Sequence, residues 1–149
     1  MNILFSFFLV LAMAAPALAV DGMISLPSPL SVNATSDRLV TLLESKGMTV
    51  FNRIDHAAAA QKAGVELRPT TLIIFGNPKV GSPLMKCSQT AAIDLPQKAL
   101  ISQDEKGQVW LSYNDPAYLK TRHQIQGCEE VLKKVAGALN MFATGATAK

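Results

Sequence analysis

One stretch, "RPTTLIIFGNP" at 68–78, constrains the fold more than any other. Pro69 to Phe75 carries no charge, and Gly76-Asn77-Pro78 closes it with turn chemistry. It reads as the central strand of a sheet, and the rest of the chain is arranged to cover it. "MISLPSPLS" (23–31) is a first strand, confined by Pro27 and Pro29 to an edge or an extended lead-in. "TSDRLVTLLESKG" predicts a helix capped by Thr35 or Ser36, with Asp37 in its first turn and Gly47 past its end. "MTVFNRI" (48–54) has apolar groups on both faces and predicts a largely buried strand. Asp55 is an N-cap, Ala57 to Ala60 form a short helix, and Gly64 ends it.

Ser82-Pro83 predicts another short helix, and "AIDLP" a loop. "KALIS" and "VWLSY" form a hairpin with Gly107 near its turn. Asp115-Pro116 opens a C-terminal helical region divided by Gly127. Beyond that glycine, Cys128, Val131, Leu132, Val135, Leu139 and Phe142 fall on one helical stripe, and the final "ATGATAK" is expected to fray. The pattern is α+β: a two-layer sandwich, with a mixed or antiparallel sheet of about five strands packed by two longer helices plus short helices.

The N-terminus is of another kind. Residues 1–19 hold an apolar run from Ile3 to Ala15 and then Ala17-Leu18-Ala19, a small-x-small cleavage pattern. They read as a secretory signal peptide, although no Lys or Arg precedes the run. Cleavage leaves 20–149 as a single α+β domain, periplasmic or secreted, with no membrane span. Fourteen Lys and Arg against eleven Asp and Glu give a net charge of +3, without a basic run interleaved with aromatics, so nucleic acid is not an expected partner. Two cysteines in an oxidising compartment predict a Cys87–Cys128 disulfide. The stripe turns Cys128 toward the sheet, where the short helix bearing Cys87 can meet it. Their spacing is neither CxxC nor CxxCH, so thioredoxin-like redox chemistry and covalent haem attachment lack support.

The combination of "RIDH", "FGNP", "DLP" and a later "RH" resembles the domain-of-unknown-function 302 family over nearly the whole mature chain. The matching positions are Asp55, His56, Pro69, Thr70, Phe75, Gly76, Asn77, Pro78, Asp94, Leu95, Pro96, Tyr113 and His123. The resemblance implies a compact α+β fold, secretion and a homodimer. It implies no activity. Cys87 and Cys128 lie outside that pattern and read as a local addition.

The only two histidines, His56 and His123, both fall on motif positions. Imidazole titrates near neutrality and ligates metals and haem iron. A neutral His56 at a helix start keeps a free lone pair; a cationic His123 near a helix end is favoured by the dipole. The sharper hypothesis joins them in one site for a transition metal or haem, within one subunit or across a dimer. The plainer one has Asp55 capping and both imidazoles bonded within the fold. Met23, Met48 and Met85 are soft ligands by type but core filler by spacing. Asp94 and Asp115 read as turn and cap residues, and "FGNP" as a strand-ending turn rather than an anion nest. Arg53, Arg68 and Lys98 read as solvated charges, and Phe51 and Trp110 as core rather than pocket lining. No GxSxG, HExxH, Walker loop or GxGxxG is present. The leading function is therefore small-ligand binding. An acid–base enzyme using Asp55-His56 and a structural or assembly protein stand beside it.

Overall fold

The computed structural model describes residues 22–149, so the predicted leader lies outside the described residues. Five strands form one antiparallel sheet: β1 (Met23–Ser28), β2 (Thr49–Asp55), β3 (Thr70–Gly76), β4 (Gln97–Gln103) and β5 (Val109–Asn114), in the order β1-β5-β4-β3-β2. The helices are α1 (Val32–Ser45), α2 (His56–Lys62), α3 (Pro78–Cys87), α4 (Pro116–Arg122) and α5 (Glu129–Ala146), with a 3-10 turn at Gln89–Ile93. The expected α+β sandwich is the observed one.

Strand periodicity decides which face is core. Thr71, Ile73 and Phe75 of β3, Ala99 and Ile101 of β4, and Leu111 and Tyr113 of β5 are buried beneath α1 and α5. The intervening Leu72, Ile74, Leu100 and Trp110 turn away from those helices and are half-buried. Leu39 and Leu43 of α1, and Val135, Leu139 and Phe142 of α5, complete the core, with Phe142 edge-on to Phe75. Each such apolar side chain contributes about 2 kcal/mol on burial.

Several elements differ from the sequence expectation. Helix α1 begins earlier, because Ser31 is its cap and accepts the Ala34 amide; Thr35 instead bonds Ser28 between hydroxyls at 2.8 Å, buried. Strand β2 is an edge strand and mostly exposed, since no strand pairs its outer side, and its register breaks at Phe51. Asn77 and Pro78, not Ser82 and Pro83, start α3. The C-terminal "ATGA" does not fray: Ala143 and Ala146 are buried, and Gly145 lets α5 approach Leu42 of α1.

The register fixes the two ends of the sheet. Thr49, Gly76, Gln97 and Asn114 lie at one end; Asp55, Thr70, Gln103 and Val109 lie at the other. Helices α3 and α5 are tied by a disulfide between Cys87, the last residue of α3, and Cys128, the residue before α5, with Cα atoms 6.4 Å apart.

Candidate functional site

At the Gly76–Gln97 end, a cavity of about 460 Å³ opens between the sheet, α3 and α5. Its floor is Phe75, Gly76 and Gln97; Met48 and Phe51 flank it on the β2 side. Val80, Gly81, Ser82, Leu84 and Met85 form the α3 wall, with the Ser82 hydroxyl its one polar side chain, and Lys134, Val135, Ala138, Leu139 and Phe142 the α5 wall. Leu95 and Pro96 close it from the loop before β4. The size falls within the range of about 300–1,000 Å³ usual for small-molecule sites.

Local sequence explains the shape. A bulge at Phe51 adds one residue to β2 and re-aims the ring. That ring comes to lie over Gly76: a Cβ placed there would meet Phe51 and Pro96 at 3.4 Å. Asn77 ends β3 and caps α3. Its Oδ1 accepts the Lys79 amide at 2.9 Å, while its Nδ2 donates to the Gly47 carbonyl at 3.2 Å. Pro78 fits the first helical position, where no amide is needed. "FGNP" is thus a strand end, a ring platform and a helix start in four residues, and all four line the cavity. Phe51, 54% exposed, belongs to the cavity mouth rather than the core.

The polar lining is sparse. Asn77 is committed to its cap and to Gly47. Gln97 shares the helix-facing side of β4 with Ala99 and Ile101. The residue is 8% exposed; its amide makes no hydrogen bond within the described residues and keeps contact with solvent in the cavity, the one fully buried unpaired side-chain atom among those residues being Ser36 Oγ. Lys134 is the one ionisable side chain among the lining residues.

His123 lies just beyond this end. It caps the C-terminus of α4, and its ring is buried. Nε2 faces Asp94 Oδ2 at 2.6 Å, and Nδ1 faces Thr90 Oγ1 at 3.1 Å. A carboxylate only accepts, so Nε2 carries the proton it donates. Asp94 also receives Arg122 at 3.2 Å, and the Ser88 hydroxyl donates to the His123 carbonyl at 2.9 Å. Asp94, read as a plain turn residue, is the anchor of this cluster.

Asp55 and His56 sit at the opposite end. Asp55 pairs with Thr71, whereas Gln97, three residues after Asp94, pairs with Phe75. The two ends are separated along β3 by roughly 13 Å at the usual strand rise. One subunit therefore does not bring His56 and His123 together. Asp55 Oδ1 caps α2 by accepting the Ala58 amide at 2.9 Å, and His56 is exposed. Neither lines this cavity or a smaller one of about 240 Å³ between α4 and α5. Among the described residues, no three His, Cys, Asp or Glu side chains are grouped as a metal ion would require.

The other expected candidates have structural partners. Tyr113 is buried beside Ala99; burial and then the Asp115 charge push its phenol above the ordinary tyrosine value. Lys98 donates to the Asp94 and Pro96 carbonyls, Arg68 to the Gln103 carbonyl, and Arg53 pairs with Asp37. Trp110, on the other face, donates to Asp104 at 2.9 Å. Met48 and Met85 do line the cavity, as polarizable apolar walls.

The family model "Domain of unknown function DUF302" matches residues 24–142. The crystal structure of an uncharacterized conserved protein DUF302 from Bacillus stearothermophilus superimposes with a TM-score of 0.77 at 16% identity, covering 87% of this chain and 100% of that one. It shares the fold. A protein named fluoride-specific ion channel FluC 1, from Brucella suis biovar 1, is 42% identical over 129 residues, covering 84% of this chain and 51% of its own length. A protein of the same name from Brucella abortus biovar 1 is also 42% identical, with 48% of its length covered. The chain spans about half the length of the curated relatives it matches.

Proposed function

The chain belongs to the Domain of unknown function DUF302 family, and on that premise we propose that it is a small-ligand-binding protein whose site is the apolar cavity at the Gly76–Gln97 end. The observation that carries this reading is convergence. Phe75 to Pro78 and Leu95-Pro96, distant in sequence, close one cavity of ligand size, and Asp94–His123 braces its loop. The apolar walls favour an apolar body. The geometry gives less support to a metal or haem held by His56 and His123, since His123 has both ring nitrogens engaged and His56 stands at the other end.

Export to the periplasm or beyond is part of the proposal, supported by the leader pattern at 1–19 and by the cysteine pair. Self-association as a homodimer is also proposed. Its support is the half-buried Leu72, Ile74, Leu100 and Trp110 on the sheet face turned away from α1 and α5, and light scattering at two concentrations reads it. Among the described residues no helix is long and apolar enough to cross a membrane.

Gly81 offers a clean test. A Cβ there would have only Leu95 Cδ1, at 3.9 Å, within contact range, so a longer side chain grows into the cavity. The neutral fluorophore N-phenyl-1-naphthylamine is expected to bind saturably to the unaltered protein. Gly81→Leu, folded by circular dichroism, is expected to lose that signal. Equal binding by the plugged variant refutes the cavity as the site.

A further inference from the structure

Resting on the cavity reading, we propose that the ligand is a small amphipathic carboxylate: its apolar body between α3 and α5, its anionic head between Gln97 and Lys134. Gln97 carries the inference. Gln97 is 8% exposed on the core face of β4, where a polar side chain is ordinarily hydrogen-bonded within the protein. Here the amide makes no hydrogen bond within the described residues and the residue lines the cavity, so its polar atoms keep contact with solvent there; the one fully buried, unpaired side-chain atom among those residues is Ser36 Oγ. Its donor and acceptor, those of the Gln97 amide, are thus open to a molecule bound in the cavity.

Charge sets the sign of that molecule. Lys134 is the one ionisable lining residue, no acidic side chain lines the cavity, and Lys134 forms no ion pair with a described residue. Its ammonium favours an anion at the mouth. A carboxylate accepts both from an amide N–H and from an ammonium, and a short apolar tail matches the walls.

The test is displacement of N-phenyl-1-naphthylamine from the disulfide-intact chain by decanoate and decyltrimethylammonium, each below its micelle concentration, and by decanol below its solubility limit. Decanoate is expected to displace best. Lys134→Ala should weaken decanoate about fivefold and leave decanol unchanged, as for one exposed charge pair. Gln97→Leu should weaken decanoate and leave decanol displacement unchanged. A purely structural glutamine would weaken both ligands alike. Equal displacement by decanoate and decanol, or tightest displacement by the cation, overturns the head-group assignment but leaves the cavity standing. Failure of Gly81→Leu to reduce fluorophore binding overturns the cavity itself.

Discussion

Replacing both cysteines, Cys87→Ser with Cys128→Ser, separates the two walls of the cavity without touching its lining. The bond joins the last residue of α3 to the residue before α5 and closes a loop of 41 positions. Chain-entropy loss on closing a loop of that length destabilises the unfolded chain by about 4 kcal/mol. That is a large share of the roughly 5–15 kcal/mol that holds a domain together. With a urea slope of about 2 kcal/mol/M, the unfolding midpoint should fall by about 2 M. Equilibrium unfolding followed by Trp110 fluorescence measures it, with the unaltered protein under reducing conditions as a second route to the same state. Fluorophore binding below the transition should weaken as well, because α3 then rests on its own packing against α5. A midpoint shift under about 0.5 M in both experiments would refute the view that this covalent tie, rather than packing alone, holds the walls together.

Trp110 is the single tryptophan, and its indole bonds the Asp104 carboxylate, which lies below the ordinary carboxylate range chiefly because of that bond. A depressed folded value means the contribution is present above about pH 4 and is lost as pH falls through the lower folded value. Emission should change only in that acid window, and Asp104→Asn should flatten the change; a transition unaltered by the substitution refutes the assignment. His123→Ala removes a buried ring and leaves Asp94 with Arg122 alone, so thermal denaturation should report a loss of about 2 kcal/mol, and a loss below about 0.5 kcal/mol counts against the brace. Gly145→Leu should cost about 1–3 kcal/mol by forcing α5 from α1, since a Cβ alone already meets Leu42 at 3.0 Å; an unchanged melting temperature would contradict that close approach.

Local signals in the sequence located most elements, because each rests on neighbouring residues. Asp55 and Asp115 cap as their side chains allow, and Gly47, Gly64, Gly107 and Gly127 take positive φ where turns or helix ends need it. Competition and distance defeated the rest. Two cap-then-proline signals lie five residues apart, and Asn77 prevails because it satisfies the Lys79 amide and the Gly47 carbonyl together. The exposure of β2 depends on strand order, which "MTVFNRI" does not encode by itself. The firmness of the C-terminus depends on Leu42, far away in sequence. The cavity is the extreme case, assembled from a bulge, a helix cap, a loop and a distant helix, none of which signals a pocket alone.

The two aspartate–histidine combinations show how sequence proximity misleads. Asp55 and His56 are covalent neighbours at a strand–helix junction, where the carboxylate faces the amides of the turn ahead and caps Ala58. Adjacency therefore works against their pairing. Asp94 and His123 stand 29 positions apart, yet theirs is the pair that forms, with Thr90 and Ser88 fixing the ring and the backbone behind it. Asp94 leads directly into Leu95 and Pro96, which are cavity wall. The histidine near the C-terminal helix thus acts on the cavity through the loop it holds. Its loss should reach ligand binding by moving that wall, whereas loss of His56 should leave binding unchanged. Fluorophore affinities of His56→Ala and His123→Ala, compared below their unfolding transitions, separate the two, and equal effects would dissolve the distinction.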